Sequence, residues 1–167
     1  TASGYWEHDL VTLTQRLAEP GQVPANGVAQ RLWHVRAGQV LLATGSIERP
    51  MAFAHNDRPG VMLSQAVRTY VRRFGVCPGQ RVVIATNNDD AYLTAYALKE
   101  AGAQIVAILD ARPAPAGQEH GFPTFNNAHP LATKGQRHCL KSVSAIVDGV
   151  TKSWDADLLA VAGGFTP

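Results

Sequence analysis

Residues 81–110 read RVVIATNNDDAYLTAYALKEAGAQIVAILD, and this stretch decides the fold. The apolar runs at 81–86 and 104–109 are typical of buried strands. Between them, residues 91–101 are rich in Ala and Leu and predict a helix that ends at Gly102. A strand, turn, helix and strand in about 30 residues form one right-handed βαβ unit. Because both strands are continuously apolar, we expect a parallel sheet that is covered on both faces.

The turn of this unit is where a dinucleotide would be bound. In that class of site, the pattern G-x-G-x-x-G/A lets the pyrophosphate rest on the helix N-terminus. Aligned on this pattern, Thr86 and Asn88 take the first two glycine positions and Ala91 takes the third. Asp110 follows about 20 residues later, where an acidic side chain can accept a hydrogen bond from a ribose hydroxyl. Asn88 and Asp110 are therefore candidate cofactor contacts in a framework that lacks the phosphate-binding glycines.

Two carboxylates follow Asn88 at the start of the predicted helix. Asp89 and Asp90 stand where a phosphate would lie, and they are stabilised there by the helix dipole and free N–H groups. They would repel an incoming anion. We interpret residues 87–90 as a self-capped turn in a nucleotide-binding fold whose phosphate site has decayed, with real binding as the alternative. Arg112 likewise favours an ion pair with Asp110 over a ribose contact.

Two apolar runs that end in glycine bracket this region. They read VLLATGS at 40–46 and LLAVAGGFTP at 158–167, and they predict buried strands over 39–44 and 157–162. A strand that ends in glycine lets the backbone pass close to a bound cofactor. The candidate cofactor contacts in these runs are Thr44, Gly45, Ser46, Gly163 and Gly164.

The rest of the chain predicts a small meander and several loops. Residues 4–17 and 31–35 are typical of strands, and with the strand at 39–44 they suggest an antiparallel meander. An apolar stripe with helical spacing predicts a helix over 61–74. Residues 111–130 are mostly loop, and 137–148 suggest one or two strands.

Composition limits the classes of function. The chain is 46% hydrophobic and 17% charged, which is typical of a soluble globular chain, and its net charge of +2 gives no argument for a nucleic-acid partner. No apolar run is long enough to span a membrane. Cys77 and Cys139 have no metal-binding spacing, and a reducing cytoplasm is the simplest setting for them. We expect a cytoplasmic protein with no membrane or nucleic-acid partner.

Metal and nucleophile motifs are absent from the sequence. No pair of histidines has the i, i+4 spacing of metal ligands, no serine lies in a G-x-S-x-G turn, and nothing close in sequence would activate Cys77. We therefore expect no metal site in this chain. The six histidines are His8, His34, His55, His120, His129 and His138.

A βαβ unit that lies between two apolar runs ending in glycine resembles flavoproteins of the disulfide-reductase type, which have two dinucleotide-binding domains. The strings ATGSIERP at 43–50, NDRPGVML at 56–63 and AVRTY at 66–70 narrow the resemblance to alpha subunits of heterotetrameric sarcosine oxidase. The TNND turn at 86–89 and the DAR at 110–112 are similar to that family as well. The resemblance implies that this chain is an internal piece of such a protein.

The resemblance also implies the fold class and the domain boundaries. The class is α/β: a Rossmann-like βαβ domain, which is a degenerate FAD/NAD(P)-binding fold, flanked by an antiparallel β meander from a first dinucleotide-binding domain. Residues 1–50 would end that first domain, and 51–78 would be a crossover connector and helix. Residues 79–156 would form the second, NAD(P)-binding-like domain, and 157–167 a return strand to the first.

A function follows from the resemblance in the same way. The family oxidatively demethylates sarcosine to glycine and a formaldehyde unit and forms hydrogen peroxide. The complex would hold NAD in the first domain, mostly outside this chain, together with FAD and FMN, and its partners would be the beta, gamma and delta subunits. This segment would supply scaffold, not catalytic groups. The alternatives are an opine oxidase or related amine dehydrogenase alpha subunit, or a non-catalytic module that packs its arginine-bearing helix against a partner.

Overall fold

The computed structural model describes residues 1–19, 21–22, 24, 26–113, 121–136 and 139–167. Its contacts divide the chain into two compact units, Thr1–Thr44 and Gly45–Pro167.

The first unit is a three-stranded antiparallel sheet. Its strands are β1 (Ala2–Trp6), β2 (Leu10–Arg16) and β3 (Gln30–Arg36), in that order across the sheet. The single strand expected at 4–17 is wrong, because His8 and Asp9 adopt positive φ angles of 60° and 54° and turn the chain back on itself. The meander itself is confirmed.

The strand expected at 39–44 is not formed. Residues 37–46 have no strand geometry, and the side chains of Leu41 and Leu42 are 93% and 63% exposed. An apolar run becomes a strand only when a neighbouring strand takes its backbone hydrogen bonds. None of the strands in the described part of the chain pairs with this run.

The second unit carries the remaining elements. In chain order they are β4 (Ile47–Glu48), β5 (Val61–Leu63), α1 (Ser64–Phe74), β6 (Arg81–Thr86), α2 (Asp90–Glu100), β7 (Gln104–Asp110), β8 (Thr124–Phe125), β9 (Ala128–Gln136), β10 (Cys139–Val147), β11 (Val150–Asp155), β12 (Leu158–Ala162) and β13 (Phe165–Thr166).

A five-stranded parallel sheet, ordered β5-β12-β6-β7-β8, forms the middle layer. The βαβ unit is confirmed as β6–α2–β7. The helix expected from residue 61 begins at Ser64, because Val61–Leu63 pair with β12 and are strand instead. Gly75 ends that helix as expected, with a φ of 64° that suits glycine.

Strand β12 lies in the interior of this sheet, between β5 and β6. Residues 158–162 were expected to return to the first domain, but they pair with β5 and β6, and all five are buried. The segment after them is the one that turns away, because β13 pairs with β4. The chain after Gly45 and the chain after Gly163 therefore run side by side. The wider four-part division of the chain stays a prediction.

Side chains alternate across the sheet and build two cores. On one face Ile84 and Leu158 pack with Leu98 of α2. On the other face Val83 and Leu159 pack against the antiparallel sheet β9-β10-β11. Both faces of the sheet are thus covered, as its continuously apolar strands predicted. The carboxyl ends of its strands are left to form a site.

Candidate functional site

A cleft of about 500 Å³ opens where three parallel strands end. Parallel α/β sheets place ligands at this edge, because loops and helix N-termini meet there. The residues that follow β6, β7 and β12 line the cleft, and the chain after β4 and part of β9 complete it. The lining residues are Arg49, Pro50, Met51, Ala52, Asn87, Ala111, His129, Pro130 and Gly163.

Gly163 lets two backbone segments come unusually close at this cleft. A Cβ atom on Gly163 would lie 2.6 Å from the carbonyl oxygen of Arg49 and 2.8 Å from that of Pro50. Gly164 adopts a φ of 89°, which side chains rarely allow. Both glycines therefore allow residues 49–50 of the same chain to lie close to this turn. Their contact with a cofactor stays a prediction.

The β6–α2 turn is held by its own side chains. The hydroxyl of Thr86 accepts a hydrogen bond from the Asn88 N–H at 3.0 Å and donates one to the Asn88 carbonyl at 2.8 Å. The amide nitrogen of Asn88 donates to the carbonyl of Ala162 at 3.1 Å, and its oxygen accepts from the Asp90 N–H at 3.1 Å. Asn88 thus joins the turn to the end of β12. A cofactor contact by Asn88 stays a prediction.

Both carboxylates at this turn have arginine partners. Both oxygens of Asp90 lie 3.0 Å from Nη2 of Arg68, whose Nη1 also donates to the Asp90 carbonyl at 3.1 Å. Asp89 accepts from Nη2 of Arg112 at 2.8 Å. The start of α2 therefore carries two carboxylates held by arginines, and no glycine. These residues do not fit the pyrophosphate of a dinucleotide, which needs close backbone approach and free N–H groups.

Asp110 is fully buried among donors from its own chain. Its oxygens accept from Nε and Nη2 of Arg112 at 3.0 and 2.8 Å, from the Arg112 N–H at 3.0 Å and from the Tyr92 hydroxyl at 2.9 Å. Burial by itself raises the pKa of Asp110, but these hydrogen bonds outweigh it and hold the pKa below its usual value. Burial, and then the hydrogen bond to Asp110, raise the pKa of Tyr92 to about 12. This geometry matches the ion pair that the sequence favoured, while ribose contact by Asp110 stays a prediction.

Glu48 is a buried carboxylate that the sequence-based reasoning missed. It is 4% exposed, and its Oε2 accepts the Gln65 N–H at 2.7 Å in the first turn of α1. Its Oε1 is buried and has no hydrogen-bond partner among the residues that the structure describes. Burial raises the pKa of Glu48. Glu48 and Gln65 are 17 residues apart in sequence, so no local pattern pointed to this contact.

The remaining candidates lie outside the cleft lining. Thr44, Gly45 and Ser46 are exposed and precede β4, with Gly45 at a φ of 77°. Their cofactor contact stays a prediction.

The described residues contain no metal site and no membrane-spanning helix. No group of three or more His, Cys, Asp or Glu residues within them could hold a metal ion. His120 and His138 fall outside those residues. In the same part of the chain, no helix combines the length and the apolar character needed to cross a membrane.

Comparison with curated proteins gives matches over the whole chain, although no family model matches. The chain is 41% identical over 172 residues to the alpha chain of sarcosine oxidase from Rhizobium meliloti (strain 1021), and it covers 17% of that protein. It is 37% identical over 181 residues to the corresponding protein of Corynebacterium sp. (strain P-1), of which it covers 19%. An opine oxidase subunit from Agrobacterium tumefaciens (strain Ach5) is 35% identical over 81 residues, which is 48% of this chain. The chain thus spans less than a fifth of the sarcosine oxidase subunits that it matches.

Solved structures share the fold. A ferredoxin reductase from Rhodopseudomonas palustris has a TM-score of 0.63 at 15% identity, covering 99% of this chain and 40% of its own. A thioredoxin reductase from Lactococcus lactis has a TM-score of 0.62 at 15% identity, covering 98% and 52%. L-proline dehydrogenase from P. horikoshii has a TM-score of 0.58 at 19% identity, covering 99% and 27%. The expected fold class is confirmed: α/β, with a parallel βαβ sheet and antiparallel sheets.

Proposed function

This chain is similar over its full length to one segment of sarcosine oxidase alpha subunits, and on that premise we propose that it is part of an oxidoreductase that demethylates sarcosine. Sarcosine, O₂ and water would give glycine, formaldehyde and hydrogen peroxide. The observation that carries the proposal is the 41% identity along the whole chain. The matched length includes residues 39–112, and the amino-acid sequence of the connector within this range is not dictated by the fold.

Within such an enzyme, this segment would act as scaffold. The β6–α2 turn does not fit a pyrophosphate, and its carboxylates are paired with Arg68 and Arg112. We therefore place NAD in another dinucleotide-binding domain of the longer polypeptide, with FAD and FMN elsewhere in the complex. Thr44, Gly45 and Ser46 would approach that NAD, and Gly163 and Gly164 would help to close its domain. The partners of this protein would be beta, gamma and delta subunits, and the complex would be cytoplasmic.

An opine oxidase alpha subunit is the second candidate. It is supported by the match to the Agrobacterium opine oxidase, which covers 48% of the chain, whereas the sarcosine oxidase matches cover all of it. The packing-module alternative gains no support from its arginines. Of the three arginines on that helix, Arg68 pairs with Asp90 and Arg72 with Glu100, while Arg73 lies over the Phe74 ring at 5.5 Å, so all three contact residues of the same chain.

Hydrogen peroxide formation by the full-length protein, produced with its partner subunits, tests the proposal. We expect sarcosine to support turnover and an opine, as the matched control substrate, to support far less. Turnover of the opine without turnover of sarcosine would assign the chain to the second candidate. Turnover of neither by a correctly assembled, flavin-loaded complex would contradict both.

A further inference from the structure

Four arginines of the second unit differ in whether their guanidinium groups have partners. Arg58 donates three hydrogen bonds to residues 133–136, and Arg68 and Arg112 form ion pairs with buried or half-buried carboxylates. Arg49 lines the cleft, and its guanidinium has no hydrogen bond or ion pair with any residue that the structure describes. A cation that the chain does not neutralise is therefore available to a ligand at this edge of the sheet.

The position of Arg49 is fixed by its backbone. Its N–H donates to the carbonyl of Gly164 at 2.8 Å, and its carbonyl accepts from the Gly163 N–H at 2.9 Å. A Cβ atom built on Gly164 would lie 3.2 Å from Nη2 of Arg49 and 3.7 Å from Oδ1 of Asn87. The guanidinium therefore lies across Gly164 and beside Asn87. A bulkier residue at 164 would displace it.

Further donors line the same cleft. Oδ1 of Asn87 accepts from the amide of Asn88 at 3.0 Å, which leaves the Asn87 amide nitrogen as a donor. His129 adds an imidazole. No carboxylate belongs to the lining, and the nearby Asp89 and Asp110 are bound by Arg112. The donors and charges of the cleft thus favour an anion.

We propose that this cleft binds an organic ligand through its oxyanion, a carboxylate or a phosphate monoester, with Arg49 as the anchor and the Asn87 amide as a second donor. The planar guanidinium fork matches both oxyanions. A cleft of about 500 Å³ also has room for an organic body attached to the anion. The anion would rest on the Arg49 guanidinium and the Asn87 side chain, not on the backbone N–H groups at the start of α2. The proposal is independent of which amine the full-length protein oxidises.

Titration calorimetry on the full-length protein, with acetate and AMP as probes, tests the proposal and separates the two oxyanions. We expect saturable binding of at least one probe and a loss of about tenfold or more in affinity for Arg49→Gln, because a charge-assisted hydrogen bond is removed. Asn87→Ala should weaken the same probe. The matched control is Arg81→Gln, at the opposite end of β6, which should bind like the wild type.

Three results would overturn the proposal. They are the absence of saturable binding of both probes, equal affinity in Arg49→Gln, and an equal loss in Arg81→Gln. Asp89→Asn separates the two possible positions of the anion, since a large gain in affinity would place it on the backbone N–H groups at the start of α2. If Arg49→Gln does not fold by circular dichroism, Arg49→Lys replaces it, and the loss of the planar fork should still weaken binding.

Discussion

Asp110 and Glu48 are two buried carboxylates whose surroundings shift their pKa values in opposite directions. Arg112 and Tyr92 supply Asp110 with donors, so its charged form is favoured despite complete burial. Glu48 has one backbone donor and one oxygen without a partner in the described part of the chain, so its charged form is disfavoured. The number of donors around each carboxylate decides the sign of its effect on stability.

For Asp110→Asn, we expect the free energy of unfolding at pH 7 to fall by about 2–3 kcal/mol, because Arg112 loses its buried anion but keeps some exposure to water. Chemical denaturation measures this change. Glu100→Gln is the control, because it breaks the exposed pair with Arg72 and should cost far less. The pKa of Asp110 is lower in the folded protein than its usual value of 3.8. Its contribution to the free energy of unfolding is therefore present above pH 3.8 and is lost as the pH falls through the folded pKa. Equal losses in the two variants would contradict this account.

For Glu48, whose folded pKa is raised, the sign is reversed. The folded protein binds more protons than the unfolded chain, so stability should fall as the pH rises from the usual value of 4.5 through the folded pKa. Glu48→Gln keeps an acceptor for the Gln65 N–H and removes the buried charge. We expect it to be at least as stable as the wild type at pH 7 and to show a flatter profile of unfolding free energy against pH above 4.5. A clear loss of stability at pH 7 with an unchanged profile would show that the capping charge outweighs the burial cost.

At the scale of elements, the pairing of β4 with β13 holds one wall of the cleft. Glu48 is opposite Phe165 and Ile47 is opposite Thr166, and Gly163 is in close contact with the carbonyls of residues 49 and 50. This short ladder positions the backbone of Arg49. The shape of the cleft therefore depends on a glycine as much as on the residues that line it.

Gly163→Ala should destabilise the second unit by about 1–3 kcal/mol, since its Cβ would meet backbone atoms that cannot rotate away. The matched control is Gly38→Ala, because a Cβ there meets nothing within 4 Å and the φ of Gly38 is not positive. Thermal unfolding of the two variants would measure the difference. The idea fails if both variants behave like the wild type.

The sequence predicted the elements that local periodicity defines. Residues 81–110 form their strand, helix and strand because their apolar runs agree with the tertiary structure, and the Asn88 side chain accepts the Asp90 N–H at the start of the helix. The hairpin turn at His8 and Asp9 was missed because it contains no glycine or proline. Strand β12 was assigned to the wrong neighbours, because its apolar run is compatible with any buried sheet.

The cleft was harder to foresee than the fold. Asn88, Gly163 and Gly164 were singled out from turn chemistry, and all three lie at the edge of the sheet where the cleft opens. Arg49 and Glu48 were not, because their surroundings come from residues far away in sequence: Arg49 pairs with Gly164, and Glu48 accepts from Gln65. No local pattern reports whether a guanidinium or a carboxylate will find a partner.

At the scale of the whole molecule, the two units differ in how well they bury apolar side chains. The second unit has two cores that cover both faces of its parallel sheet. In the first unit, Leu32, Leu41 and Leu42 are 60%, 93% and 63% exposed. Exposed apolar surface of this kind promotes association.

We therefore expect the 167-residue chain, produced by itself, to self-associate. Light scattering after size-exclusion chromatography would show a mass above 17.9 kDa. The double substitution Leu41→Ser and Leu42→Ser should lower that mass, because it removes apolar side chains from the surface. Val150→Ser, at an exposed position of the second unit, is the control and should not change it. A monodisperse wild-type monomer would contradict the expectation.

The central claim is that the parallel-sheet unit keeps the architecture of a dinucleotide-binding domain while its own side chains occupy the phosphate site. A crystal structure of the full-length protein with NAD tests this most directly. We predict no pyrophosphate within hydrogen-bond distance of the N–H groups of residues 87–91, and Asn88, Asp89 and Asp90 still bound to their present partners. A pyrophosphate resting on those N–H groups, with the ion pairs of Arg68 and Arg112 broken, would contradict the claim.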